Sequence, residues 1–229
     1  MSLGGLFNPR WPGVALFDLD GTLVDSAPDL AAAIDTMLEQ LGRRKAGVDK
    51  VLDWVGNGAS VLVRRALADK ADWEPATLKD NALFNDALAL FFSAYDKANG
   101  QHAKLYEGVE PCLQRLSECG CQLGIVTNKP EKFVAPLLKQ MGIDHYFRIS
   151  VGGDTLPVKK PDPAPLIYAM EALGGTRGTT VMIGDSAADI SAARAAGIPC
   201  VAVRYGYNFG APADSLQADA TVDSLTQLL

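Results

Sequence analysis

The chain has 229 residues, 48% of them hydrophobic and 21% charged, enough for one large domain, or one domain carrying an insertion, around a substantial core. Lys and Arg number 21 against 27 Asp and Glu, a net charge of -6. The overall field therefore disfavours nucleic-acid backbone and anionic membrane, and any anionic partner must be small and met by a local cluster.

No apolar run approaches the roughly 20 residues of a membrane span, and the opening MSLGGLFNPRWPG has no basic segment leading into an apolar one. The chain is expected to be soluble and cytoplasmic. Its four cysteines, Cys112, Cys119, Cys121 and Cys200, form no C-x-x-C pair, and only His102 and His145 could assist them. That argues against zinc and leaves the cysteines as small apolar core residues.

Along the chain, the first apolar run is GVALFDL at 13–19. A short run without alternation fits a strand buried on both faces of a parallel sheet. About a hundred residues then precede the next such run, and they read helical. SAPDLAAAIDTMLEQLG places Leu30, Ile34, Met37, Leu38 and Leu41 on one face, with Ser26 and Asp29 spaced as a capping pair and Pro28 in the first turn. Further helices are predicted over 59–70 and 78–100.

Beyond this insert a regular alternation begins. Helices are predicted at 109–119, 131–141, 163–173 and 187–196, the last stopped by Gly197 and Pro199. Strands are predicted at 121–128, 146–153, 179–185 and 199–206. Together these elements predict an α/β fold, a doubly wound parallel sheet with a Rossmann-like core and an inserted helical cap. The core would be 1–23 and 101–229, and the cap 24–100.

In such a sheet the site lies outside the carboxyl ends of the strands. The residues there are Asp18, Asp20 and Thr22 after the first strand, Thr127 and Asn128 after the second, and Asp185, Ser186 and Asp189 after the fourth. Lys159 and Lys160 follow the third. Crowded carboxylates repel unless a hard cation lies between them, and all-oxygen ligands point to Mg²⁺. Thr127, backbone amides around Gly21 and Asn128, and a lysine ammonium complete a cradle for a tetrahedral anion. This is the chemistry of phosphoryl transfer, with one carboxylate attacking phosphorus and the other protonating the leaving oxygen. Asp18, nearest the strand end, is the expected nucleophile.

DLDGT (18–22), VTN (126–128), KKP (159–161) and GDSAAD (184–189) resemble, in order, the four motifs of the haloacid dehalogenase superfamily. The resemblance implies Asp18 as nucleophile forming an aspartyl-phosphate and Asp20 as acid/base. It implies Thr127 and Lys160 as phosphate ligands, with Mg²⁺ held by Asp18, the Asp20 carbonyl and Asp185. Asp189 matches an acidic position near the metal, although the helix dipole alone also favours an acid there. Ser186 reads as the N-cap of the helix at 187–196.

The aspartate at position 20 is similar to that of the superfamily's phosphatases and phosphomutases. The wider segments WVGNGASVLVRRAL, VTNKPEKFVAPLL and GGDTLPVKKPDPAPL resemble bacterial phosphoglycolate phosphatases, cap included. The substrate implied is a small phosphorylated acid, 2-phosphoglycolate, hydrolysed to glycolate and phosphate. Within the cap, Gly56 and Gly58 permit a tight loop opening onto a helix. Arg64 or Arg65 could meet a substrate carboxylate, Arg65 being favoured by the resemblance, although either could equally be a surface charge. The alternatives are a mutase or phosphatase of the same superfamily acting on another phosphate ester, and a phospho-accepting receiver module. The long insert and Asp20 count against the receiver.

Overall fold

A computed structural model describes residues 11–71, 82–208 and 212–229. Among these, β1 (Val14–Phe17), β4 (Gln122–Val126), β5 (Phe147–Val151), β6 (Thr180–Gly184) and β7 (Cys200–Val203) coincide with the five predicted strands. With β8 (Ala220–Val222) they form a six-stranded sheet in the order β5-β4-β1-β6-β7-β8, every neighbouring pair parallel. The expected doubly wound architecture is present, with β8 added at one edge.

Side-chain alternation along these strands feeds two cores. Ala15, Phe17, Leu123, Ile125, Val181 and Ile183 pack on one face with α5 (Val109–Glu118) and α6 (Val134–Gln140). Val14, Leu16, Val151 and Met182 pack on the other with α7 (Ala164–Ala172) and α8 (Ala187–Ala196). Because both faces are covered, β1 is buried at all four positions, which explains its unbroken apolar run. Helices that follow β4 and β6 cover opposite faces, so their loops diverge beside the end of β1 and open a crevice there.

The insert folds as α1 (Ala27–Gln40), α2 (Val48–Leu52), α3 (Ala59–Ala68) and α4 (Ala82–Ala98) around Ile34, Met37, Trp54, Val63 and Phe91. The first four residues of the helix predicted at 78–100 lie outside the described residues. Chain exit and return are joined by a two-stranded antiparallel ribbon, β2 (Val24–Asp25) with β3 (Lys104–Leu105). Phe133 and Tyr207, from the core, complete the cap's apolar cluster. Among the described residues no helix is long and apolar enough to cross a membrane, and all four cysteines are free.

The capping pair expected at Ser26 and Asp29 does not form. Ser26 Oγ instead donates to Asp20 Oδ1 at 2.6 Å. The fully buried Asp29 carboxylate accepts the amides of Gly100 and His102, each at 2.7 Å. It thereby ties the first cap helix to the returning chain. Removing such an acceptor leaves a buried N–H unpaired, at a cost of about 1–3 kcal/mol. Asp29→Ala is therefore expected to lower the urea midpoint by at least that equivalent, and an unchanged midpoint would show that both amides find water.

Candidate active site

The backbone of β1 runs on into the site: Asp18 N donates to the Ile183 carbonyl at 2.9 Å, and Asp18 Oδ1 accepts its neighbour's Leu19 N at 2.7 Å. The chain then turns sharply, with the amides of Leu23 and Val24 both reaching the Leu19 carbonyl at 3.0 Å. Gly21 sits in this turn at φ +86°, and a Cβ there would lie 2.4 Å from Asp185 Oδ2. Only glycine satisfies both the dihedral angle and the close approach.

Asp185 follows β6. Its Oδ1 accepts Thr22 Oγ1 and its Oδ2 accepts Tyr207 N, each at 2.7 Å. The Lys160 side chain is only 1% exposed, and its Nζ lies 3.0 Å from Asp18 Oδ1 and 2.6 Å from Asp189 Oδ1. It also donates to the Val126 carbonyl at 2.6 Å. Asp189 Oδ2 accepts both the amide and the hydroxyl of Ser186, at 3.0 and 2.7 Å. Asp189 is thus engaged through both oxygens, holding Lys160 and the start of α8.

Oxygens of Asp18, Asp185 and Asp189 lie within 4.8 Å of one another, with one ammonium, Lys160, among them. Burial pushes the Asp18 carboxyl up to about 6 against the opposing pull of Lys160, with Asp189 adding to the rise. Burial, then Asp18 and Asp189, also hold Asp185 well above the usual carboxylate range. Burial alone would lower Lys160, but Asp18 and Asp189 hold it above the ordinary lysine value. Three carboxylates against one ammonium leave negative charge uncompensated, and every donor atom is a hard oxygen. The residues present fit a divalent cation at Asp18 and Asp185, with Asp189 behind.

Between core and cap lies a small cavity of about 50 Å³, whose lining includes Asp18, Asp20, Thr127, Asn128 and Gly58. Leu30, Val55, Leu62 and Phe91 give it an apolar wall on the cap side, and Phe133 of the core adds to it. Asn128 Nδ2 donates to the Lys160 carbonyl at 3.0 Å, while its Oδ1 has no partner. Gly58, at φ +86°, brings the cap loop onto the core: a Cβ would lie 3.0 Å from Lys159 Nζ and 3.1 Å from the Asn128 carbonyl. Lys159 Nζ in turn donates to the Asn57 carbonyl at 3.0 Å.

The structure therefore brings Asp18, Asp20, Thr127, Asn128, Lys160 and Asp185 together with Gly21, Thr22 and Gly58. It does not bring Arg65 to the cavity wall. Arg65 is buried within the cap, where Nη1 donates to the Trp54 carbonyl at 2.7 Å, and Arg64 lies 3.7 Å over the Phe84 ring. Sequence reasoning passed over Lys129, although it directly follows the VTN motif. Its Nζ pairs with Asp20 at 3.0 Å and donates to the Tyr95 hydroxyl. Burial alone would lower this ammonium as well, but Asp20 and Tyr95 hold it above the ordinary lysine range.

A family model described as haloacid dehalogenase-like hydrolase matches residues 15–203. A phosphoglycolate phosphatase of Pseudomonas putida is 50% identical over 224 residues, covering 98% of this chain and 81% of that protein. Its counterpart from Pseudomonas syringae pv. syringae is 47% identical over the same length and the same shares. A crystal structure from Haemophilus somnus, described as a predicted phosphoglycolate phosphatase, superposes with a TM-score of 0.85 at 36% identity, covering 94% of this chain and 96% of that one. With strand-end carboxylates, lysine and threonine gathered on a matching fold, the chain belongs to the haloacid dehalogenase-like hydrolases and is a phosphatase.

Proposed function

We propose that the protein is a Mg²⁺-dependent phosphatase that hydrolyses 2-phosphoglycolate to glycolate and phosphate through an aspartyl-phosphate at Asp18. The observation that carries this reading is the pair Asp18 and Asp20 in the wall of one cavity, the first gripped by Lys160. A small cavity with an apolar cap wall suits a short substrate. The names of the Pseudomonas relatives and the resemblance of the cap support the choice of ester.

In the first half-reaction an Asp18 oxygen attacks phosphorus as the bond to the ester oxygen breaks, and Asp20 gives that oxygen its proton. In the second, water attacks the aspartyl-phosphate, Asp20 takes a proton back, and the Asp18 carboxylate leaves. Lys160, the Thr127 hydroxyl and the Asn128 amide hold the phosphoryl oxygens. Thr22 fixes Asp185 through its hydroxyl, and the tight turn at Gly21 sets the separation of the two aspartates. The cap loop at Gly58 faces the glycolate end of the substrate.

Mg²⁺, held by Asp18, Asp185 and the Asp20 carbonyl, supplies positive charge that lowers the repulsion between the anionic nucleophile and the anionic ester. Stripping divalent metal with EDTA is expected to reduce phosphate release from 2-phosphoglycolate to background, and Mg²⁺ to restore it. Across a panel of phosphate esters, 2-phosphoglycolate is expected to give the highest kcat/KM. A stable phosphoprotein without turnover would overturn the hydrolase reading. Glucose 1-phosphate converted to an isomer, with little free phosphate, would point to a mutase instead.

A further inference from the structure

We propose that Lys129 of the core and Tyr95 of the cap are positioning residues for the Asp20 carboxylate. The inference rests on the reading of Asp20 as acid/base given above. Lys129 has a rigid base: its amide donates to Thr127 Oγ1 at 3.2 Å, and its carbonyl accepts Gly153 N at 2.8 Å. From there the side chain, 2% exposed, runs to Asp20, with Nζ at 3.0 Å from Oδ1 and 3.2 Å from Oδ2.

The remaining direction of the ammonium is taken by the Tyr95 hydroxyl. An ammonium has three N–H donors, and here the two Asp20 oxygens and the Tyr95 hydroxyl face them, so the Lys129 ammonium, at the edge of the cavity, is directed at Asp20. It acts through Asp20. Tyr95 is itself fixed, stacked on Phe91 at 5.5 Å and edge-on to Phe133 at 4.8 Å between ring centroids.

Ser26 Oγ supplies a further hold on Asp20 Oδ1 at 2.6 Å. Asp20 is thus gripped by one core residue directly and by the cap both directly and through Tyr95, while it still borders the cavity. A carboxylate on a turn rotates freely unless restrained, and proton transfer requires it within hydrogen-bond reach of the reacting oxygen. The grip restricts that rotation.

The test compares two esters on the Mg²⁺-loaded protein. kcat/KM covers the steps through departure of the leaving group. The alkoxide of 2-phosphoglycolate needs a proton to leave, whereas p-nitrophenolate does not. Lys129→Met is expected to lower kcat/KM about 100-fold on 2-phosphoglycolate and less than about tenfold on p-nitrophenyl phosphate. Lys129→Arg should recover part of the loss.

Tyr95→Phe keeps the ring packing and removes only the hydroxyl, so it should give a smaller skew in the same direction. It carries the test alone if Lys129→Met does not fold. Equal losses on the two esters would overturn the proposal, because a merely structural role lowers both alike. Asp20→Asn serves as the reference. If it shows the skew and the other two variants do not, positioning by Lys129 and Tyr95 is wrong while the acid/base reading stands. If Asp20→Asn itself shows none, the acid/base reading falls and the proposal with it.

Discussion

Asn at position 18 is expected to leave essentially no turnover, with kcat reduced on the order of 10⁴–10⁶-fold, the scale seen when a nucleophile is removed from an assembled site. The amide of Asp18→Asn is nearly isosteric but a far poorer nucleophile than the carboxylate, so no aspartyl-phosphate forms. The fold should survive, because β1 is held by its ladder with β4 and β6 and by apolar burial on both faces. Two measurements decide the matter: phosphate release under saturating substrate, and mass spectrometry of acid-quenched protein for a phosphoryl adduct. Near wild-type release by Asp18→Asn would mean that water attacks the ester directly, and the covalent scheme would fall.

The second large effect belongs to Lys160→Met, and it falls on stability as well as rate. The lysine is buried between Asp18 and Asp189, and the Asp189 side chain has no exposure at all. Methionine of similar length fills the space but leaves those carboxylates and the Val126 carbonyl without their donor. Breaking one side of a buried ion pair costs about 3–5 kcal/mol, which for a protein of this size is a fall in Tm on the order of 10 °C. Activity measured well below the lowered Tm should still be reduced about 10²–10³-fold, as when a positioned charge stabiliser is lost. A Tm equal to wild type would show that the cluster contributes no net stability. Unchanged kcat would remove Lys160 from the reaction.

The centre of the sheet was legible because β1, β6 and β7 are buried at every position, so that burial alone dictates uninterrupted apolar runs such as VALF and TVMIG. Elements too short to show a period escaped: β8 has three residues, β2 and β3 two each, and α2 five. In the site, Asp18, Thr127 and Asp185 were legible because a strand end fixes their position directly. Lys129 stands beside the same strand end, but the direction of a long flexible side chain is decided by what packs around it. Tyr95 lies in an apolar helical stripe, where its ring reads as core and its hydroxyl carries no signal. For Arg65 the charge was visible in the sequence, but the Trp54 carbonyl in need of a donor was not. Ser26 and Asp29 had the right spacing for a cap, yet Asp20 and the amides of the returning chain offered them better-aligned partners.

The β2–β3 ribbon has a consequence for how such a protein can change. Val24 lies opposite Leu105 and Asp25 opposite Lys104, so the ends of the excursion are held together whatever lies between them. Loop-closure entropy grows only slowly with length, and here closure is already accomplished by the ribbon. The sheet therefore meets the whole excursion as a single short stitch. Residues on the far side of that stitch can be lengthened, exchanged or re-sequenced without altering strand order or the placement of Asp18, so long as Ser26 and Tyr95, which reach back to Asp20 and to Lys129, are kept.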